Sequence, residues 1–359
     1  MPVDAHWLSL NSEPAIEPEL PIVDPHHHFW DRPGFRYLFD DFLADIRSGH
    51  NVVGSVFIEA SSRQHSSAGT MYRAGGPEEL RSLGETEFVN GIAAIASSGQ
   101  RGPAGLCAGI VAFVDLRLAE RTAPVLALHR SMARVKGIRN MTAWHADSAI
   151  HNPALETTAG MLAEPSFRRG FVELASSGLT FDAWLFAPQI PELVDLAHAF
   201  PGVRIVLDHL GGIMGIGSYA GRRDEATMEW RRDLHDLARC PNAYVKLGGM
   251  ASPRGGFSLD HRDRPPSSDE LARHWKPYVE ICIEEFGTDR CMFESNFPVE
   301  KQWVTYNSLW NAFKKITAGY SASDRRNLFF GTANEFYSLN LAAWGCAKTE
   351  HEDPRDRHG

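Results

Sequence analysis

The chemistry in this chain concentrates at Asp24-Pro25-His26-His27-His28-Phe29-Trp30, directly after the apolar run Pro21-Ile22-Val23. Such a run reads as a strand buried on both faces, with imidazoles where the strand ends. Side chains two apart in a strand share a face, so His26 and His28 converge and His27 points away. Two neutral imidazoles on one face make half of a metal site, or a proton-handling pair. A surface histidine tract is the plainer alternative. The apolar strand before the cluster and Phe29-Trp30 after it weigh against that.

Polar residues recur at the ends of other apolar runs: Glu59, Arg139, Asp182, His209, Lys246, and Glu294 with Asn296. A lone polar residue at a strand end is commonly a helix cap or a satisfied core group. Its recurrence at seven of eight strand ends points to an enzyme. Arg139 and Lys246 could bind a substrate carboxylate or polarise a carbonyl, Arg139 with a bidentate fork. The alternative is a buried ion pair with Asp182 or Glu59. Glu294 and Asn296 share a face, with Glu294 one layer deeper; it either reaches the site or pairs with Lys246 or Arg139. Asp208 faces opposite to His209 and reads as a cap or supporting group. His261 and Arg262, in the polar loop 257–266, can close over the mouth. Trp30, Trp144, Trp184 and Phe297 are expected to line it and to suit a ring-shaped or flat substrate. Glu59, His261 and Trp184 join Arg139 and Lys246 as candidate substrate contacts.

The elements that must position these groups alternate. Eight strands are separated by helical spacings over 37–48, 77–98, 118–132, 157–177, 189–199, 224–239 and 268–286, with further helical segments to 341. Alternation of this kind indicates parallel βαβ units. No glycine-rich phosphate turn follows the first strand, and the count predicts a single (β/α)8 TIM barrel, with its chemistry at the carboxyl ends of the strands. The expected organisation is an N-terminal extension over 1–20, the barrel over 21–345, and a charged, disordered tail over 346–359.

At 359 residues, with 43% hydrophobic and 23% charged, the chain can bury a sizeable core. Its net charge of −9, with no Lys/Arg cluster, excludes nucleic acid as the expected partner. Five scattered cysteines predict a reduced, intracellular protein without a cysteine zinc site. The N-terminus lacks the pattern of a signal peptide, and no stretch approaches the ~18 apolar residues needed to span a bilayer. The expectation is a cytoplasmic protein acting on a small molecule, with a homo-oligomer left open.

In this order, six segments resemble the amidohydrolase superfamily, specifically its lactonase-like branch of metal-dependent TIM-barrel hydrolases, related to sugar lactonases and 2-pyrone-4,6-dicarboxylate lactonase. They are Asp24-Pro25-His26-His27-His28-Phe29-Trp30, Lys136-Gly137-Ile138-Arg139, Leu179-Thr180-Phe181-Asp182, Leu207-Asp208-His209-Leu210-Gly211-Gly212, Val245-Lys246-Leu247 and Arg290-Cys291-Met292-Phe293-Glu294-Ser295-Asn296-Phe297-Pro298. The resemblance implies hydrolysis of a lactone or similarly activated ester by an activated water. It implies metal ligands at His26, His28 and His209, with zinc as the expected divalent ion. Two positions depart from the wider pattern. Asp182 stands in place of a fifth-strand histidine, as in the lactonase branch, and Asn296 stands where the family offers an aspartate. An amide neither takes a proton from water at neutral pH nor binds metal well. The resemblance therefore implies weak or absent metal and a changed mechanism, with His209, Glu294, Asn296 and Asp182 as the catalytic candidates and Glu294 carrying part of the lost role. A decarboxylase or lactone isomerase on the same barrel, or a catalytically altered binding protein, are the alternatives.

Overall fold

Eight short apolar runs pair in chain order, all parallel, in one sheet of the computed structural model, which describes residues 3–32, 34–60, 71–152, 156–260 and 262–342. They are β1 (Pro21–His27), β2 (Asn51–Ile58), β3 (Gly105–Phe113), β4 (Val135–Met141), β5 (Thr180–Trp184), β6 (Ile205–Leu207), β7 (Ala243–Leu247) and β8 (Cys291–Phe293). The sheet closes on itself through the segment after β8: His28 N–H donates to Phe297 O at 2.7 Å and Asn296 N–H to His26 O at 2.8 Å. The result is the (β/α)8 barrel that the alternating pattern implied.

The principal outer helices are α1 (Phe39–Ile46), α2 (Leu83–Ala96), α3 (Thr122–Arg130), α4 (Pro165–Ser177), α5 (Ile190–Ala199), α6 (Arg223–Ala238), α7 (Ser268–Phe286) and α8 (Tyr306–Ile316). Their ends follow local chemistry. Ser267 Oγ accepts the Glu270 N–H at the start of α7 and Thr305 Oγ1 the Ser308 N–H at the start of α8. Pro165 opens α4, and Gly178 closes it with φ of 75°. Among the described residues, no helix is long and apolar enough to cross a membrane.

Two apolar layers divide the strands. Outward residues such as Ile22, Phe57, Ile110, Ile205 and Cys291 pack against the helices. Inward residues Val23, Val56, Val111, Val206 and Met292 pack against Phe330, Phe336, Tyr337 and Leu339 from the end of the described chain. Glycines make room for this plug. A Cβ on Gly54 would collide with the Leu341 side chain, and one on Gly109 would lie 3.0 Å from Leu339. Residues before β1 also pack onto the barrel: Asn11 Nδ2 donates to Pro266 O at 2.7 Å, and Ile16 N–H to Asn311 Oδ1 at 2.9 Å.

Two expected strands are shorter than the apolar runs suggest. β6 stops at Leu207 and β8 at Phe293. His209, Leu210 and Asn296 then take left-handed φ values of 55°, 53° and 53°, which ends the strand alternation. The proposed tail over 346–359 lies outside the described residues.

Candidate active site

A layer of charge crosses the bore above the plug. Among the described residues it combines the carboxylates of Glu59, Asp182, Asp208 and Glu294 with the cations Arg139 and Lys246, and all six are buried. Lys246 Nζ lies 2.7 Å from Asp182 Oδ2 and 3.0 Å from Asp208 Oδ1. Tyr337 donates its hydroxyl to Asp182 Oδ2 at 2.6 Å from below. Arg139 Nε donates to Glu59 Oε1 at 2.9 Å, and its Nη1 lies 3.6 Å from Asp208 Oδ2. Burial pushes the Asp182 carboxyl up to about 6 against the pull of Lys246. Burial acts on Asp208 the same way, but Lys246 and then His26 outweigh it and hold that carboxyl well below the usual range. Carboxylates exceed cations here, so the layer favours a further positive charge, whether a proton or an ion.

Of the imidazoles, His209 is the one placed to take up that role. Glu294 Oε1 accepts from His209 Nδ1 at 2.6 Å, and Glu294 Oε2 lies 2.7 Å from His26 Nδ1. Burial raises the Glu294 carboxyl, but His209 and His26 prevail and hold it at about 2. Burial lowers His209 while Glu294 raises it, and the net shift is upward. His26 is pushed down by burial and by Lys246, so it stays neutral; its Nδ1 faces both Glu294 Oε2 and Lys246 Nζ, the latter at 3.3 Å, and its Nε2 lies 3.3 Å from Arg139 Nη1. The ligand atoms of His26, His209 and Glu294 lie within 4.8 Å of one another, close enough to hold one metal ion. The surplus of carboxylates fits such an ion.

His28 stands beside this group rather than in it. Its Nδ1–H donates to Ile58 O at 2.8 Å, and its Nε2 lies 3.3 Å from the Asn296 side chain. Burial keeps His28 neutral, so Nε2 carries a lone pair and needs a donor. An amide can turn its N–H toward that lone pair, whereas a carboxylate cannot. Asn296 is thus matched to a neutral His28. His27 points outward, stacking on Phe42 at 4.1 Å with Nε2 3.0 Å from Ser55 Oγ.

Above the layer opens a cavity of about 640 Å³, lined by His28, Trp30, Arg139, Trp184, His209, Arg254, Asn296 and Glu300 among others. This volume lies within the roughly 300–1,000 Å³ of small-molecule sites. Trp30 and Trp184 line it as expected; Trp144 does not, and Phe297 is buried against Tyr306 at 5.0 Å. Lys246 and Glu59 are fully enclosed and do not reach the cavity. Their expected substrate contact is therefore replaced by an ion-pairing place beneath it, because both side chains end inside the charge layer. Arg139 spans the two, ion-paired below and lining the cavity above. His261 lies outside the described residues.

Two groups escaped the sequence reading, and a third, Asp208, was expected to face the other way. Asp208 points into the bore, not away from His209: two residues after the inward Val206 it shares that face, and the left-handed backbone at His209 and Leu210 turns His209 in beside it. Glu300 lines the cavity with Oε2 accepting the Ala251 N–H at 2.6 Å, and burial pushes its carboxyl up to about 7. Arg254 follows β7 in Ser252-Pro253-Arg254-Gly255-Gly256, where Pro and paired Gly signal a fixed turn.

The family model described as Amidohydrolase matches residues 23–339. A Sinorhizobium fredii protein, the uncharacterized protein y4mH, is 32% identical over 347 residues, covering 89% of this chain and 99% of its own. L-fucono-1,5-lactonase of Burkholderia multivorans is 26% identical over 330 residues, covering 88% of this chain and 96% of its own. Two crystal structures of an amidohydrolase from Burkholderia multivorans, one with bound HEPES and one with bound zinc, superpose with TM-scores of 0.67 and 0.64. Both are 23% identical and cover 89% of this chain and 99% of theirs. With its barrel, its charged bore and a family match over most of its length, this chain belongs to the amidohydrolase family and is an enzyme.

Proposed function

We propose that the protein opens a lactone, or a similarly activated ester, by attack of water at the ring carbonyl. The observation that carries this reading is the His209–Glu294 pair at 2.6 Å on the floor of the cavity. Nδ1 of His209 is committed to Glu294, which leaves Nε2 as the free nitrogen of a ring that lines the cavity. Nε2 of the neutral ring takes a proton from water as the oxygen attacks the carbonyl carbon. Glu294, ionised down to about pH 2, orients the ring and stabilises the imidazolium. Arg139 supplies fixed positive charge at the cavity floor for the developing oxyanion. The imidazolium then returns its proton to the departing alkoxide. Glu294 itself is a poor base: both its oxygens are engaged, and its carboxyl is held far down. The role expected of Glu294 as a base passes in this reading to His209.

Sequence kinship to lactonases supports the same reading at low identity. The His26, His209 and Glu294 group would hold a divalent ion, with zinc first by analogy to the zinc-bound neighbour, and His209 would then serve as a ligand in place of its role as base. A bound ion there would supply Lewis-acid polarisation and a more acidic water.

A panel of five- and six-membered lactones, followed by acid release at constant pH and by product mass, tests the proposal. The expected product is the ring-opened hydroxy acid. Carbon dioxide or a ring-shifted lactone in its place would overturn it in favour of a decarboxylase or an isomerase.

A further inference from the structure

The turn after β7 holds one guanidinium in an unusual setting. Its backbone is pinned on two sides: Gly215 N–H donates to Arg254 O at 2.8 Å, and Ser252 Oγ accepts the Arg254 N–H at 3.4 Å. Gly256 permits the close approach, with φ of 65° and Gly215 O only 2.6 Å from where its Cβ would be. The Arg254 side chain lies over Trp184 and Phe186, 6.0 and 5.7 Å from the ring centroids, at the cavity wall. Among the described residues, no hydrogen bond or ion pair reaches that guanidinium, and its shift has burial as its sole cause, with no neighbouring carboxylate.

The other cations nearby are committed. Arg139 is held by Glu59, Arg32 donates to Ala60 O at 2.8 Å, and Arg223 gives its donors to Tyr278, Gly255 and Gly256. A guanidinium brings five N–H donors, and this one, half-buried at the cavity wall, has none of them committed to the described protein. A planar anion lying between the two rings would meet them as a fork, with the aromatic walls restricting its plane. A carboxylate has that shape. A phosphate dianion would call for a second free cation.

We propose that Arg254 anchors a substrate carboxylate, so that the preferred substrate is a lactone carrying a carboxylate away from the ester being opened. The inference rests on the lactonase reading for the bond that is cleaved, and on Arg254 alone for the anion. His209 and Arg254 line one cavity, so a single small molecule can meet both.

The test compares δ-valerolactone bearing a ring carboxylate with the methyl ester of that carboxylate, on wild type, Arg254→Met and Arg254→Lys. Wild type is expected to favour the carboxylate by about 10–100-fold in kcat/KM, the size of a charge-assisted hydrogen bond. Arg254→Met should bring that ratio close to one, and Arg254→Lys should keep part of it. Equal rates on both compounds in wild type, or an undiminished ratio in a folded Arg254→Met, would overturn the proposal. Should Arg254→Met not fold, the Arg254→Lys ratio decides alone: unchanged, it refutes a fork. If neither compound is opened, the lactonase reading fails separately. Calorimetry with cyclohexanecarboxylate and cyclohexanecarboxamide then tests the anchor: carboxylate binding that Arg254→Met abolishes supports it, and equal binding of acid and amide sinks it.

Discussion

The two ends of the barrel bore differ in what they leave unmet. At the lower end, Val23, Val56, Val206 and Met292 close on Phe336, Tyr337 and Leu339, and Tyr337 spends its hydroxyl on Asp182. At the upper end, Arg254 has no acceptor among the described residues, and Glu300 Oε1 is enclosed without a hydrogen-bond partner. The lower end is built as a core is built, by close packing. The upper end keeps polar groups that the protein leaves unpaired and that a bound molecule can meet. Between them the charge layer belongs to both: Lys246 is sealed into it from below, and His209 emerges from it above.

The contrast predicts different failures on the two sides. The largest expected effect is on activity, at Glu294. Glu294→Gln keeps the size but removes the charge between His26 and His209, so kcat should fall by about 10²–10⁴ in a lactone assay. The same change alters acid stability. A carboxyl lowered from 4.5 to about 2 contributes stability that is complete above its unfolded value and is lost as pH falls from 4.5 toward 2. Melting temperature in that window should therefore drop steeply for wild type and less steeply for Glu294→Gln. An equally steep drop in the variant would show that other carboxylates carry the acid transition.

Lys246→Met should act first on stability. It leaves Asp182 and Asp208 without their cation in a sealed layer, and breaking such buried pairs costs roughly 3–5 kcal/mol. Urea unfolding at pH 7 measures it. A loss below about 1 kcal/mol would mean that the layer takes up a proton or an ion in its place.

Residue types made much of this legible before any coordinates. Parallel strands buried on both faces appear as continuous apolar runs, so the eight strands and the inward His26 followed from pattern alone. Side-chain direction failed where the backbone left the strand. His209 turns in beside Asp208 because His209 and Leu210 are left-handed, and no glycine at those two positions announces it. Depth failed as well. Lys246 and Arg139 looked equivalent as strand-end cations, yet one is sealed and the other lines the cavity. Glu300 and Arg254 lie in loops, where no periodicity assigns a face.

Glu300 gives the upper end a pH signature. Its carboxyl is raised from 4.5 to about 7, chiefly by burial. Between those values the unfolded chain loses a proton that the folded chain keeps, so stability falls as pH rises from 4.5 through 7. Glu300→Gln removes that slope. Urea midpoints for the variant should gain on wild type between pH 5 and pH 8, and a difference independent of pH would show that Glu300 does not titrate there.

The smallest expected effect belongs to the lower end. Tyr337→Phe removes only the hydroxyl that donates to Asp182 Oδ2 and leaves the ring in the plug. A hydrogen bond to a charged acceptor contributes about 1.5–3 kcal/mol, and the loss should appear in urea unfolding with kcat reduced far less than in Glu294→Gln. The cost should also depend on pH. Burial already raises the Asp182 carboxyl from 3.8 to about 6, and the Tyr337 hydroxyl works against that rise. Without the hydroxyl the carboxyl moves higher still, so the folded form holds its proton over a wider range than the unfolded chain does. Stability then falls further as pH climbs from 3.8 through the new value, and the penalty at pH 8 should exceed that at pH 4. An equal penalty at both would mean that Asp182 keeps its charge through Lys246 alone, and that the plug supports the charge layer by packing rather than by its one hydroxyl.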